Sequence, residues 1–406
     1  MTPPAAPDTE RIPVRYWIWL FGAAVSLLGD LAITFAIGWS ASQYGGRVAG
    51  LVLLFAAAPR AALLLIGGAI GDRYGAPRVL LASCTAMFLL TATLVPVTIA
   101  VDEPVWLLLG LALVVGMIDA FFLPSSRSMP RLLVPPAQIP RAMASFQVTG
   151  MVFAVIGTAV GGVLVGWAGL TAAAGFDALT FAVMIAVMAV LSRSIDLPPK
   201  ATTGMFRSIG DGVRMAFGRP LTRTLLISMT LAAGLLMPMD ILLLPLLARD
   251  HGWDAGTAAL LVAARSIGVG AIALRILMRG AFSRPGMVAA VGLLCASVGL
   301  LGLSMFEPLP LTLAAAVVSG AGVGLFTGHV LPLLMNSVER EYQSRLQSVV
   351  VLCQNLALVV MNPLLGSLAD VDGIGITGVC LGISVASALI GVVALTRPVM
   401  RNAAVA

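Results

Sequence analysis

Six side chains able to carry charge or move a proton sit inside long apolar runs: Asp30, Arg60, Asp119, Asp240, Arg265 and His329. Asp30 stands in the middle of SLLGDLAITF (residues 26–35), in a run from Tyr16 to Ser42 that holds no other charge. A charge facing lipid at the centre of a membrane span costs about 2.5–3.5 kcal/mol, so such groups are expected to face a bundle interior or a watery cavity and to pair. Counting from the ends of the runs places Asp30 and Arg60 near mid-membrane, and Asp240 and Arg265 at a shared depth closer to one end. Two Asp–Arg pairs are therefore expected, Asp30 with Arg60 and Asp240 with Arg265. The arginines differ in register by about a turn, so strict symmetry between the pairs is not expected.

Asp30 also shares a helical face with Gly22, Ser26, Thr34 and Gly38, a stripe of small and polar residues suited to lining a cavity. Burial disfavours the ionised carboxylate and a neighbouring arginine favours it, so a site alternating between the two would take up a proton and release it. Two roles stay open for Asp30: a site for a proton or a cationic substrate, or a static pair fixing the first span to the second. Asp119 is a second candidate for function, and Asp177 is expected to be structural, reaching the outer surface. His329 is read as lining the cavity or as a packing histidine, and His251 as a solvated loop residue.

Catalytic chemistry has little to work with here. The chain has two histidines in unlike settings, so no nucleophilic triad or metal-ligand set can be assembled and no enzyme, metal or cofactor is expected. Lys200, the only lysine, follows Pro-Pro and not the Gly of a GK[ST] step, which excludes a Walker A loop. GIGITG at 373–378 fits GxGxxG but joins two apolar runs and follows no strand, so it is not a nucleotide site. Cys84, Cys295, Cys353 and Cys380 all lie in apolar runs without CxxC spacing and read as small packing residues.

Composition sets the class. Hydrophobic residues make up 59% of the chain and charged residues 10%, with mean hydropathy +1.03, which leaves a soluble fold nothing to solvate its surface. The first 15 residues carry charge and proline but no apolar core or cleavage site, so no signal peptide is expected. The net charge of +6 would suggest nucleic acid in a soluble protein. Here it follows from where the arginines fall, and the partners expected are lipid, protons and a small-molecule substrate.

Apolar runs give twelve expected spans: 16–43, 47–71, 78–101, 104–126, 142–168, 172–193, 221–248, 256–278, 285–306, 309–337, 346–369 and 374–396. Twenty of the 24 basic residues fall on the side of the membrane that holds the termini, while Arg47 and Arg249 lie opposite and Arg60 and Arg265 lie within spans. The positive-inside rule then puts both termini and the central connection in the cytoplasm. EPVWLLLGLALVVG from Glu103 matches EPLPLTLAAAVVSG from Glu307, and the likeness continues with near-equal length. Span four thus corresponds to span ten. The expected fold is all-α: twelve transmembrane helices in two pseudo-symmetric six-helix halves, 1–194 and 221–406, joined by a cytoplasmic linker, 195–220, whose FRSIGDGVRMAF forms an amphipathic surface helix.

GGAIGDRYGAPRVLL, after the second span, resembles the loop motif of the major facilitator superfamily. Gly68, Ile70, Asp72, Arg73, Gly75, Arg78 and Leu80 fit it, and Ala76 and Pro77 replace the usual basic pair. FFLPSSRSMPRLLVPPAQIPRAMAS resembles the end of span four in the drug-efflux branch that includes macrolide and enterobactin exporters. GTAVGG, with Gly157, Gly161 and Gly162, is similar to the antiporter motif of span five, with Thr158 in place of proline. Ala112 stands where drug antiporters of the superfamily often carry an arginine in span four.

The resemblance implies a gate on the cytoplasmic side formed by Gly68, Asp72, Arg73, Gly75 and Arg78. It implies proton-coupled efflux of small amphipathic or drug-like molecules by alternating access. The alternatives are a dedicated exporter of one natural product, siderophore or lipid-like substrate, and, more remotely, a non-transporting membrane sensor. The excess of arginine over lysine suits a GC-rich bacterial genome, and a monomer in the bacterial plasma membrane is expected.

Overall fold

The computed structural model describes residues 12–191, 220–339 and 343–397. The expected surface helix at 206–217 and all of the linker 195–220 except Pro220 lie outside those residues. Apolar runs this long become helices because lipid offers no partner to a free backbone N–H or C=O. In chain order the helices are α1 (Val14–Ser42), α2 (Gly46–Tyr74), α3 (Ala76–Ala100), α4 (Val105–Leu133), α5 (Ile139–Leu191) and α6 (Pro220–Leu236). They continue with α7 (Leu244–Asp250), α8 (Ala255–Arg279), α9 (Pro285–Met305), α10 (Leu309–Asn336), α11 (Gln343–Ala369) and α12 (Gly375–Thr396). Several helices overrun their apolar cores; α4 continues through Pro124 and Pro130 to Leu133, past the expected end at 126.

Eleven helical stretches among the described residues are long and apolar enough to cross a membrane. The difference from the twelve expected lies in α5, which joins the runs 142–168 and 172–193 into one element of 53 residues. Its backbone leaves helical geometry at Ala168 (φ −147°, ψ 32°) and Gly169 (φ 61°, ψ −151°), where only a glycine adopts the second conformation readily. The Leu170 N–H beyond this break donates to Glu103 Oε1 at 3.0 Å, so a carboxylate sits where a helix N-terminus favours negative charge.

A second break separates α6 from α7, which together form one of the eleven stretches. Pro238 brings no N–H to the helical ladder, and the chain passes through a π-helical turn, Met239–Leu243, that carries Asp240. At the start of α8, Asp254 accepts the Thr257 N–H at 2.8 Å. That backbone bond holds the Asp254 carboxyl below the usual carboxylate range.

Glycine sets how close the helices come. α2 packs on α4, and a Cβ at Gly116 would overlap the Ala56 carbonyl oxygen while one at Gly67 would overlap that of Ala120. α8 packs on α10 in the same way, where a Cβ at Gly320 would overlap the Arg265 carbonyl oxygen. The close-approach residue near the loop motif is thus Gly67; a Cβ on Gly68 would meet nothing. Gly75 serves differently, turning the chain between α2 and α3 at φ 91°. Contacts between residues 14–191 and residues 220–396 run through α2 on α11, α5 on α8, and α1 on the π turn and α7.

Replacing Gly116 by Val is expected to force α2 from α4, at a cost of about 1–3 kcal/mol. Thermal unfolding of the detergent-solubilised protein followed by size-exclusion chromatography should show a Tm several degrees lower, while Gly68→Ala should melt as wild type.

Candidate functional site

The α2–α4 crossing places Arg60, one residue after Pro59, against Asp119. Arg60 Nη2 donates to Asp119 Oδ2 at 2.6 Å, with the arginine side chain 28% and the aspartate side chain 10% exposed. The expected Asp30–Arg60 pair does not form, because the glycine-tight crossing brings α4 closer to Arg60 than α1 comes. Asp30 makes no hydrogen bond or ion pair with any described residue, although Arg60 and Asp119 both act on it through space. It lies half-buried on the wall of a cavity of about 290 Å³ bounded by α1, α4 and the first part of α5. Ser26, Phe122, Ser126, Arg127 and Gln147 share that wall.

The stripe on α1 therefore divides. Ser26 and Asp30 face the cavity, whereas Gly22 packs on Met184 and Val187, and Gly38 on Ile241. The glycines of GTAVGG account for part of this geometry. Gly157 receives Leu28 and Leu31 of α1, Gly161 receives Ala32 and Phe35, and Gly162 turns to Ala255 and Ala259 of α8. The motif thus packs α5 against α1 on either side of Asp30 and against α8.

The second expected pair is present. Arg265 Nη1 donates to both carboxylate oxygens of Asp240, at 2.6 and 2.5 Å, and Nη2 donates to the Leu236 carbonyl at 2.9 Å. Leu236 ends α6, so its carbonyl is one that the broken helix leaves for an outside donor. Arg265 is the deeper partner, with its side chain 5% exposed against 35% for Asp240.

One further expectation needs correction, and an open alternative narrows. Asp177 does not reach the outer surface: it is fully buried, and both carboxylate oxygens lack a hydrogen-bond partner. It sits where a Cβ on Gly29 would press on it, beside Thr180 and next in line to Asp30. His329 is buried and fits the packing alternative. Its Nδ1 meets the Leu325 carbonyl at 2.8 Å and its Nε2 accepts the Phe282 N–H at 3.3 Å, which assigns a neutral ring with the proton on Nδ1. Phe282 in turn lies under the Arg275 guanidinium, 3.5 Å from ring centroid to Cζ, so His329 anchors the α8–α9 loop. In the loop motif, Asp72 and Arg78 are exposed and bond to no described residue, while Arg73 lies over the Tyr74 ring at 5.5 Å.

At the opposite end of the bundle the two sets of helices do meet through charge. Asp370, just past α11, accepts the N–H groups of Gly46 and Arg47 at 2.6 and 2.7 Å. Arg249, in α7, donates to Ser42 Oγ at 2.6 Å and to the Trp39 carbonyl at 2.9 Å. Sequence reading passed over both; a lone Arg and a lone Asp in outer loops carry no pattern that marks them.

A multi-pass helical membrane protein with arginines paired between its helices and a cavity beside an unbonded carboxylate is the build of a membrane transporter. The profile of the Major Facilitator Superfamily matches residues 19–361, and again 240–404. The chain belongs to that superfamily of transporters. It is 26% identical over 412 residues to the multidrug efflux pump Tap of Mycolicibacterium fortuitum, covering 97% of this chain and 98% of that protein. It is 25% identical over 402 residues to the Tap pump of Mycobacterium tuberculosis, covering 94% and 93%. Among solved structures, a peptide transporter POT in complex with sulfate superposes with TM-score 0.76 at 12% identity, covering 97% of this chain and 96% of that one. The nucleoside transporter NupG superposes with TM-score 0.72 at 12% identity, covering 94% and 98%. Identities this low show the fold alone.

Removing one partner of a buried ion pair costs about 3–5 kcal/mol, because the other charge is left unpaired. Arg60→Met should therefore lower Tm more than Arg60→Met combined with Asp119→Leu. The exchange Arg60→Asp with Asp119→Arg should recover folded protein lost in either single variant. Exchanging Asp30 and Arg60 should recover none, as measured by yield of monodisperse protein.

Proposed function

We propose that this chain exports small amphipathic or drug-like molecules in exchange for protons, working by alternating access between two six-helix halves. The observation that carries the reading is Asp30: a carboxylate on a cavity wall, near mid-span, with no bonded partner, beside an arginine already held by Asp119. Of the two roles open in the sequence, the static clamp needs an Asp30–Arg60 bond that is not made. Its absence supports the other role, which we propose as a site shared in turn by a proton and a cationic group of the substrate.

Twelve crossings are proposed from eleven stretches because α5 is too long for one. Its 53 residues would extend ~80 Å against a hydrocarbon core of ~30 Å, and the Gly169 break with its Glu103 cap offers the turn between two spans. The division into halves, 1–194 and 221–406, is supported by the Glu-Pro repeat and by Gly116 and Gly320, equally spaced from Glu103 and Glu307 and each at a tight helix crossing. Arginine placement supports cytoplasmic termini. The bacterial plasma membrane as location, and a monomer as the working unit, are part of the same proposal.

Asp370 and Arg249 join the two sets of helices at one end, while Asp72 and Arg78 at the other bond to no described residue, and this supports an inward-facing conformation. Asp30 then faces the cavity among Ser26, Phe122, Arg127 and Gln147, where aromatic and polar groups offer contact to an amphipathic molecule. A substrate cation arriving there favours the ionised carboxylate and expels its proton to the cytoplasm. After the halves rock, protonation of Asp30 from outside releases the cation. Asp240 and Arg265 give the second half an internal bond that does not depend on substrate. Gly68, Asp72, Arg73, Gly75 and Arg78 form the gate that closes the cytoplasmic end in the other conformation. Multidrug efflux by the mycobacterial Tap relatives supports a broad substrate range; one dedicated natural product is the second reading.

Cells carrying the protein should accumulate less of one or more lipophilic cationic drugs than cells without it, and a protonophore should abolish the difference. Asp30→Asn, expressed at equal level, should accumulate drug as the empty cells do. If no compound of a broad panel is excluded, multidrug export fails; if Asp30→Asn exports normally and stays protonophore-sensitive, Asp30 is not the coupling site.

A further inference from the structure

The hairpin that joins α1 to α2 is gripped at both of its helix ends by charges from the other half of the chain. α2 begins at Gly46, and its first N–H groups have no partner within the helix. Asp370 fills two of them with one carboxylate, Oδ1 on Gly46 at 2.6 Å and Oδ2 on Arg47 at 2.7 Å. α1 ends at Ser42, where the Ser42 hydroxyl also donates to the Trp39 carbonyl at 2.7 Å. Arg249 takes the carbonyl of Trp39 at 2.9 Å and the hydroxyl of Ser42 at 2.6 Å, and its Cζ lies 4.1 Å from the Trp39 ring centroid. An anion meets a helix N-terminus and a cation meets a helix C-terminus, the favourable sense of charge at both. These are charge-assisted bonds, about twice as strong as neutral ones.

The backbone packing makes the grip possible. A Cβ on Gly366 would overlap the Gly46 carbonyl oxygen, and one on Gly50 would come within 2.6 Å of the Asn362 carbonyl oxygen. The start of α2 and the end of α11 thus touch backbone to backbone, which brings Asp370 over the open N–H groups. Gly45, at φ 87°, bends the chain into reach. At the far end of α2, Asp72 and Arg78 bond to no described residue.

We propose that Asp370 and Arg249 form a two-pronged electrostatic clamp on residues 39–47 that holds the extracellular end shut and sets how often it opens. The inference rests on the alternating-access reading above. Asp370 and Arg249 lie away from the cavity and touch no residue of its wall, so their effect is on the balance of conformations and not on substrate contact. Loss of Asp370 leaves two helix-end N–H groups that water satisfies once the end is open, and loss of Arg249 removes a charge-assisted bond across the closed end, so either loss favours the outward-open state.

The test places spin labels at Asp102→Cys and Glu307→Cys, exposed positions in outer loops of the two halves, with the four native cysteines replaced by alanine. Distances are measured by pulsed electron resonance in lipid nanodiscs. Asp370→Asn and Arg249→Gln should each raise the ratio of long to short distances about fivefold or more over the parent. Ser42→Ala, a milder change, should move the ratio the same way by less and covers the case in which a charge variant fails to fold. If the parent shifts with pH or drug but none of these variants changes the ratio, the clamp is refuted and alternating access stands. If the parent shows one distance under every condition, alternating access fails and the clamp with it.

Discussion

A charge inside a bilayer must be answered by another charge or by a donor from the protein, and the Arg60–Asp119 bond answers this demand for the first half of the chain. Much of the local structure follows from it. The bond needs α2 and α4 nearly in backbone contact, which Gly67 and Gly116 permit and any larger residue would prevent. With Arg60 so occupied, Asp30 is left with an opposite charge nearby but no bond to it. A carboxylate in that condition can change partner, which is what coupling a proton to a second cation requires.

Comparison of the proposed halves sharpens the point. Counting from Glu103 and Glu307, the position of Asp119 corresponds to Val323. The second half thus offers no acid on α10, and Arg265 turns instead to Asp240, carried on the π turn just after Pro238. In the first half Arg60 bonds Asp119 and Asp30 keeps no bonded partner among the described residues. Asp177, fully buried beside Gly29 with both oxygens unpartnered, adds a third carboxyl to the same neighbourhood, one that only the folded structure brings close to Asp30.

How much of this was legible in the sequence depended on whether the signal was local. Helix placement was, because twenty apolar residues in a row have few other folds, and the break at Gly169 fell where the apolar run was interrupted. The Asp240–Arg265 bond was readable from matched depth on adjacent helices. The Asp30–Arg60 expectation used the same rule and failed, because depth says how far along a helix a charge lies and not which of three neighbours stands nearest. For His329 the sequence left a packing role open beside a cavity-lining one, and the bonds of Leu325 and Phe282 to its two nitrogens fit the packing role. The Asp370 and Arg249 contacts join residues 324 and 207 positions apart, across helices whose contact no periodicity encodes.

The central claim is that Asp30 exchanges a proton for the substrate's cation. Its most direct test is proton release in weakly buffered detergent solution, followed with a pH dye as a transported lipophilic cation is added to purified protein. The wild type should release a proton on binding and Asp30→Asn should bind without release, while Asp240→Asn should release as wild type. Equal release by Asp30→Asn would place the exchange elsewhere and contradict the account.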